Sequence, residues 1–328
     1  MLRTSYLHIK PADGREMLEA IKALLDTGDE ALVAFTKRKL LGVEVDIEEL
    51  WTLPRVGRIV GKQQSDGSWI YPNKKASLRS PTNYNQYQTY KTIAELVEFY
   101  GLNKKHEAIK NAAEYLFSFQ TEEGEFRGIY GNQYSPNYSA SITEFLIKAG
   151  YDGTRIEKSL DWLLRMRQDD GGWAIPLRTR NRDLGALNEK ETIEPDKTKP
   201  FSHLITGIVL RPFSHLTAYR MKLKEIGMLL ADRVFSRDKY PDRMGVEYWT
   251  KFTYPYHWTD LLSTLDTLTL LEITNHQKIN EIIAWFEKHK QENGTYEVSV
   301  MAGAKYNGVK YWITLQYLNV LKRLNQCE

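Results

Sequence analysis

Apolar residues recur at helical spacing along most of the chain. Ile109, Ala112 and Leu116 occupy positions i, i+3 and i+7 of one segment, which is typical of an amphipathic helix with one buried face. Similar apolar stripes lie in segments 50–60, 156–166 and 279–286. A second set of helices is predicted after the polar or aromatic stretches that follow the stripes, at 86–100, 137–149, 203–219, 257–272 and 309–324.

Four similar turns separate these predicted helices. Each has a Gln, then acidic or polar residues, a Gly, and an aromatic residue one or two positions later. They are Gln64-Ser65-Asp66-Gly67-Ser68-Trp69, Gln120-Thr121-Glu122-Glu123-Gly124-Glu125-Phe126, Gln168-Asp169-Asp170-Gly171-Gly172-Trp173 and Gln291-Glu292-Asn293-Gly294-Thr295-Tyr296. The gap between the last two turns is about twice the others, so we expect a degenerate fifth copy at 235–243. Such recurrence predicts a repeat architecture.

The chain therefore reads as a string of two-helix units within one domain, 1–328. Five pairs are visible in 46–328. The N-terminal segment 1–45 adds a candidate sixth hairpin, with amphipathic stretches at 14–25 and 29–41. Segment 177–204 interrupts the regular alternation of helices and turns. It is rich in Arg, Asn, Glu, Lys and Pro, and its length predicts a long loop at one rim of the array.

The turns resemble the QW-type repeats of the terpenoid cyclase and protein prenyltransferase superfamily. The resemblance covers about residues 50–324. It implies an all-α fold, an α/α toroid with about five or six inner and outer helix pairs around a central cavity. The helix before each turn would be outer, and the helix after it inner.

The catalytic signatures of that superfamily are missing, so the chain resembles a diverged member. An Asp-x-Asp-Asp acid is absent, and the nearest paired carboxylates, Asp169 and Asp170, lie inside the third turn. The Asp-Asp-x-x-Asp metal motif is absent too. The prenyltransferase zinc site needs a Cys thiolate, but the only Cys is Cys327 near the end of the chain. We therefore expect no metal and no cofactor.

The composition argues against some classes of binding partner. The net charge of +3 comes from 45 basic and 42 acidic residues, a balance that does not favour nucleic acid as a partner. No stretch approaches the roughly 18 apolar residues of a membrane span, so we expect a cytoplasmic protein. Cyclases of this type can contact a membrane surface, but no exposed apolar helix indicates it here. The oligomeric state is not predicted.

Aromatic and neutral polar residues gather where the inner helices should begin. In a toroid these helix ends converge at one mouth of the cavity, with their positive dipole ends directed there. An aromatic-lined cavity with few polar anchors is typical of a small-molecule site, although the same rings could simply fill the centre. The predicted ligand-binding residues are Tyr84, Tyr87, Tyr134, Tyr138, His203, Tyr254, Tyr256, Trp258, Tyr306 and Trp312.

His257 and Asp260 form the best candidate catalytic pair. On one helix, positions i and i+3 share a face, so a carboxyl raised in pKa by burial could act as an acid oriented by the imidazole. The alternative is that Asp260 caps its helix. Glu144 is a candidate second carboxylate, and Lys310 with Arg178, Arg180 and Arg182 could hold a diphosphate at the rim.

Three functions remain open from the sequence. The first is a terpenoid-cyclase-like protein, a lyase or isomerase, that acts on or binds a hydrophobic isoprenoid-like small molecule. The second is a toroid without catalysis that binds a ligand or a protein. The third is a carbohydrate-active α/α barrel enzyme, which would require two carboxylates facing each other across the cavity.

Overall fold

The computed structural model describes residues 14–72, 81–301 and 308–326. Within them the regular secondary structure is almost entirely helical. The α-helices are α1 (Gly14–Leu25), α2 (Glu30–Lys39), α3 (Pro54–Val60), α4 (Pro81–Tyr100), α5 (Glu107–Phe117), α6 (Pro136–Lys148), α7 (Thr154–Arg165), α8 (Pro176–Thr179), α9 (His203–Ser214), α10 (Thr217–Asp232), α11 (Leu261–Leu270), α12 (Gln277–Lys288) and α13 (Val309–Asn325).

Short elements complete the fold. The 3-10 helices are Ile47–Thr52, Gly128–Tyr130, Leu184–Asn188 and Val246–Thr250. Two strands of two residues each, β1 (Lys251–Phe252) and β2 (Ser299–Val300), pair in parallel, with Lys251 opposite Ser299.

Six of these helices form a closed inner ring. In chain order α2, α4, α6, α9, α11 and α13 each contact the next, and α13 contacts α2. Helices α1, α3, α5, α7, α10 and α12 pack on the outside of that ring. The predicted α/α toroid is therefore confirmed, with inner and outer helices in the predicted order.

The repeated turns connect each outer helix to the inner helix that follows it. Two backbone hydrogen bonds recur in each turn. The residue three positions before the Gly donates its N–H to the carbonyl of the residue after the Gly, and its own carbonyl accepts the N–H of the Gly. The bonds of the first kind are Gln64 to Ser68, Thr121 to Glu125, Gln168 to Gly172 and Gln291 to Thr295, at 2.8–3.0 Å. The four turns therefore share one backbone conformation.

The turn glycines lie directly against the next outer helix. A Cβ on Gly67 would meet the backbone oxygen of Asn111 in α5 at 2.2 Å, and Gly124 approaches Lys158 in α7 equally closely. The last turn closes the ring, because Gly294 lies against Ala20 in α1. All four glycines have φ between +76° and +107°, where a side chain is strained.

Hydrogen bonds that involve side chains hold the turns to both layers of helices. The Gln120 amide donates to the carbonyl of Arg155 in α7. In the first turn the equivalent residue is Gln63, which donates to Ala108 in α5, rather than the predicted Gln64. The aromatic residues donate their backbone N–H to inner-helix hydroxyls: Trp69 to Thr89, Phe126 to Ser139, Trp173 to Thr206 and Tyr296 to Thr314.

The degenerate copy at 235–243 lies where it was predicted, between outer α10 and inner α11. It does not share the hydrogen bonds of the other turns. Asp238 instead bonds Met244 through its backbone, and its carboxylate accepts from the start of α9 at Leu204. The indole of Trp249 donates to Ser236 and takes the place of the turn aromatic.

Two predicted inner helices have different ends. The helix predicted at 203–219 ends at Ser214, and α10 begins at Thr217. The helix predicted at 257–272 begins only at Leu261, because Asp260 and Ser263 form a capping box in front of it. His257 therefore lies in the loop before α11.

Candidate functional site

A tyrosine-lined cavity lies at one mouth of the ring. Its volume is about 190 Å³, and it opens between the starts of α4 and α6 and the loop before α11. The residues that line it are Tyr71, Tyr84, Tyr87, Tyr90, Lys91, Ile129, Asn137, Tyr138, Ser141, Ile208, His257 and Trp258. The mouth predicted at the N-terminal ends of the inner helices therefore does contain a cavity.

The tyrosine rings of the cavity pack edge to face. Tyr87 and Tyr90 have ring centroids 5.5 Å apart, and both lie about 6 Å from Tyr138, at 6.1 and 6.2 Å. This geometry is favourable because the positive ring edge meets the negative ring face. Burial raises the pKa of Tyr90 and Tyr138 well above the ordinary value. Their hydroxyls therefore stay protonated and able to donate hydrogen bonds at neutral pH.

His257 forms part of the cavity wall, which also contains Lys91. Its backbone N–H donates to Thr253 at 3.0 Å, and its ring contacts Tyr90 and Phe145 at 6.4 and 6.1 Å between centroids. Burial, followed by the charges of Lys91 and Arg211, lowers the pKa of His257 to about 3. The imidazole is therefore neutral, and among the described residues its buried Nδ1 has no hydrogen-bond partner.

The neutral state of His257 predicts sensitivity to acid. Its pKa of about 3 lies below the ordinary 6.5, so the unfolded chain takes up the proton first as pH falls. The contribution of neutral His257 to the free energy of unfolding is fully present above pH 6.5 and is lost as pH falls toward 3. Between pH 7.5 and 5 we expect this residue alone to cost about 2 kcal/mol of unfolding free energy.

Urea unfolding at pH 7.5 and pH 5 measures this contribution. Between these two pH values the unfolding free energy of His257→Gln should fall by about 2 kcal/mol less than that of the wild type. Burial also lowers the pKa of His203, but both proteins keep that residue, so the difference isolates His257. An equal loss in the two proteins would contradict the neutral imidazole.

Asp260 is the N-cap of α11 and does not line the cavity. Its Oδ1 accepts the backbone N–H of Ser263 at 2.8 Å, and its own N–H donates to the Ser263 hydroxyl at 2.9 Å. Burial raises the pKa of Asp260 to about 6, opposed by the hydrogen bonds from Ser263 and Thr253. The premise that His257 and Asp260 share a helix face is wrong, because the helix starts after both residues.

The structure brings four predicted ligand-binding residues together. Tyr84, Tyr87, Tyr138 and Trp258 all line the cavity. Tyr306 lies outside the described residues.

Three other predicted residues fill the centre of the ring. Tyr254 and Trp312 stack with ring centroids 5.9 Å apart, and Tyr256 packs against Tyr254 at 5.5 Å. All three are buried, and none lines the cavity. Below the mouth, therefore, the central aromatics pack against one another.

Tyr134 and His203 lie away from the cavity. The Tyr134 hydroxyl donates to Glu123 at 3.2 Å, and its ring packs on Trp162 at 5.8 Å. The His203 ring packs on Trp249 at 4.6 Å, and its Nε2 lies 3.5 Å from Asp238. Both residues belong to the packing between helices and turns.

The three arginines predicted to hold a diphosphate are already paired. Arg178, Arg180 and Arg182 form ion pairs with Asp242, Asp196 and Glu189, so none is a free anchor for a diphosphate. Lys310 is exposed on α13. It is not among the residues that line the cavity.

Glu144 belongs to a buried ionic network beneath the cavity. It accepts from Arg211 at 2.8 Å and lies 3.0 Å from Lys148, which also pairs with Glu98. Burial alone would raise the pKa of Glu144, but Arg211 and Lys148 outweigh it and hold the pKa below its ordinary value. Glu144 is therefore an ionised structural partner.

Arg211 also fixes the wall of the cavity. Its Nη1 donates to the carbonyl of Trp258 at 3.0 Å, and its Nη2 to that of Tyr256 at 3.3 Å. The loop that carries His257 and Trp258 is thereby held to the buried network.

Sequence reasoning missed several lining residues, above all Tyr90 and Lys91. Tyr84, Tyr87 and Lys91 follow one another at i, i+3 and i+7 of α4, so they share a helix face. That periodicity was the available signal. Tyr71 lies before α4, and no helical pattern pointed to it.

A larger cleft lies between the ends of α2 and α4. Its volume is about 520 Å³, and Arg38, Glu44, Asp46, Glu48 and Lys148 are among its lining residues. Two of these charges are already paired, Glu48 with Lys105 and Lys148 with Glu98. The tyrosine-lined cavity is the better candidate for an apolar ligand because five tyrosines and Trp258 line it.

Comparison with known proteins supports the terpenoid cyclase resemblance. Residues 76–192 match the squalene-hopene cyclase C-terminal domain family, a segment that contains α4–α7 and two of the four turns. Over this segment the chain is similar to that cyclase family, as the turns predicted. No curated protein matches the chain.

Solved structures of similar shape include three that span nearly all of their own chains. A protein from Actinoplanes has a TM-score of 0.43 at 13% identity, and covers 95% of this chain and 99% of its own. A polysaccharide lyase has a TM-score of 0.44 at 11% identity, and the match covers 95% of this chain and 96% of the lyase. The type II terpene cyclase MstE from Scytonema has a TM-score of 0.39 at 12% identity, and the match covers 86% of this chain and 98% of the cyclase. The toroid assignment depends on the helix contacts and not on these scores.

Among the described residues, no helix is long and apolar enough to cross a membrane.

Proposed function

We propose that this terpenoid-cyclase-like toroid binds a small, hydrophobic, isoprenoid-like molecule in the tyrosine-lined cavity. The observation that carries the proposal is a cavity of about 190 Å³ walled by five tyrosines and Trp258. The aromatic rings of this wall favour burial of apolar carbon, while Lys91, Asn137 and His257 offer polar anchors. We also propose that the four turns are QW-type repeats.

The size of the cavity limits the ligand. A cavity of about 150 Å³ is enough to bind benzene, and drug-sized ligands occupy pockets of roughly 300–1,000 Å³. A cavity of about 190 Å³ therefore suits a molecule somewhat larger than benzene. A ten-carbon isoprenoid with its tail at the open mouth fits this description.

The cavity supports binding better than acid-catalysed cyclisation. Of the described residues, no Asp or Glu lines it, and the undescribed internal segments 73–80 and 302–307 contain none by sequence. Asp260, the predicted acid, is engaged as a helix cap. The described lining of the cavity also lacks the paired acids that a carbohydrate hydrolase requires.

Isothermal titration calorimetry with geraniol, a ten-carbon isoprenoid alcohol, tests the proposal. We expect saturable one-site binding by the wild type. Tyr138→Ala removes a ring at the centre of the wall, and should weaken binding about tenfold, because burying one aromatic ring is worth about 1–3 kcal/mol. Ser141→Met adds a side chain inside the cavity and should weaken binding by blocking space.

The matched control is Tyr219→Ala, which removes a tyrosine from outer helix α10. It should bind geraniol like the wild type. Thermal unfolding of each variant checks that the fold is intact. The proposal would be refuted if the wild type did not bind geraniol, or if the Tyr138 and Ser141 variants bound it as tightly as the wild type does.

The cytoplasmic location stays a prediction.

A further inference from the structure

The cavity carries a cation without an acidic partner. Lys91 lines the cavity, and its Nζ lies 5.3 Å from the centre of the Tyr87 ring. In the described part of the chain no carboxylate lies within ion-pair distance of this ammonium group. The nearest acid along the helix, Glu95, is paired with Arg55 at 3.0 Å.

A second cation lies behind the opposite wall. The guanidinium of Arg243 stacks on the Trp258 ring at 3.6 Å, and its Nη1 donates to the sulfur of Met301 at 3.4 Å. Its neighbour Asp242 is paired with Arg178. No ion pair joins Arg243 to an acid of the described residues either.

The other lysine near the ring interior is paired differently. Lys148 lies 2.5 Å from Glu98 and 3.0 Å from Glu144, as expected for a buried cation, which is costly to leave without a counter-charge. Lys91 is partly buried among aromatic rings. No carboxylate of the described residues forms an ion pair with it, and Glu95, one turn further along α4, attracts it only from a greater distance. Burial also lowers the pKa of Lys91, but an amine of this type keeps its proton at neutral pH unless the shift is very large.

We propose that the ligand of the tyrosine-lined cavity carries a carboxylate, and that Lys91 binds this group as its counter-ion. This inference rests on the proposed function, because it names the chemical class of the molecule bound there. The apolar part would lie against Tyr138 and Trp258, while the carboxylate would lie toward Lys91.

The surroundings favour a carboxylate over a phosphate. Of the described residues, Lys91 is the one ammonium group that lines the cavity, and it offers one unit of positive charge. A phosphate monoester carries about −1.5 to −2 charges and usually meets several cations or a row of backbone N–H groups. The protonated hydroxyls of Tyr87 and Tyr90 can supply additional donors to a carboxylate.

Three probes of one carbon skeleton test the inference by calorimetry at pH 7.5: geranate, geraniol and geranyl monophosphate. The wild type should bind geranate at least tenfold more tightly than geraniol. Lys91→Met keeps the length of the side chain and removes the charge, so the preference for geranate should disappear while geraniol still binds. Lys22→Met, on the exposed face of outer helix α1, should keep the preference.

The outcomes separate this inference from the function on which it rests. Equal affinity for geraniol and geranate, or an unchanged preference in Lys91→Met, would overturn the carboxylate assignment and leave the proposed function standing. Tighter binding of the phosphate than of geranate by tenfold or more would also overturn it. If no probe binds, both proposals fail.

Discussion

Arg211→Met should destabilise the protein by about 3–5 kcal/mol, as expected when one partner of a buried ion pair is removed. Arg211 and Glu144 are both buried, with 2% and 0% of their side chains exposed. The substitution leaves the Glu144 carboxylate short of a cation and takes hydrogen bonds from the carbonyls of Tyr256 and Trp258. Lys148 remains within 3.0 Å of Glu144, which places the expected loss toward the lower end.

Urea unfolding at pH 7 measures the effect. The double variant Glu144→Gln with Arg211→Met should recover part of the loss, because it no longer buries an uncompensated charge. Lys105→Met is the matched control, since it breaks an exposed pair with Glu48 and should cost at most about 1 kcal/mol. If Arg211→Met costs no more than the control, the buried network does not stabilise the ring.

Gly124→Ala should destabilise the protein by about 2–4 kcal/mol. The residue has φ +107°, and a Cβ would lie 2.2 Å from the backbone oxygen of Lys158 in α7. An overlap with helix backbone cannot be relieved by rotating a side chain, so the turn would have to move away from the next outer helix. The cost combines backbone strain with lost packing between repeats.

Gly153→Ala isolates the backbone contribution. Gly153 has φ +81° and ψ −167°, a backbone conformation that a side chain rarely adopts, but nothing lies within 4 Å of the position of its Cβ. We therefore expect a loss of about 1–2 kcal/mol. Both variants are compared by urea unfolding under the same conditions. Losses of equal size would mean that the close approach of the turn to α7 contributes nothing to stability.

The architecture was predictable because one structural device is repeated. Each turn needs a glycine for positive φ and close approach, and an aromatic residue that reaches an inner helix, so the same residue types recur where the chain turns. Gly67 and Gly124 show this most clearly, each against a helix backbone. Recurrence of this kind is visible without any knowledge of tertiary contacts.

The site was predictable only in part. Tyr84, Tyr87, Tyr138 and Trp258 were found because aromatic residues cluster where inner helices begin. Tyr254, Tyr256 and Trp312 follow the same pattern but fill the centre. The difference depends on which way a ring faces, and that is decided by packing between helices far apart in sequence.

The start of α11 could not be placed from periodicity. Asp260 caps the helix through Ser263, which puts His257 in a loop and separates the presumed catalytic pair. A local side-chain hydrogen bond thus outweighed the helical pattern of the preceding residues. Lys91 was overlooked because a lysine on a helix is usually a solvated surface charge, and its burial depends on neighbours outside α4.

A crystal structure of the protein grown with geranate tests the central claim most directly. The account predicts electron density for one molecule in the tyrosine-lined cavity, with its chain against Tyr138 and Trp258 and its carboxylate at hydrogen-bond distance from the Nζ of Lys91. An unoccupied cavity at saturating geranate, or a molecule bound elsewhere on the toroid, would contradict it.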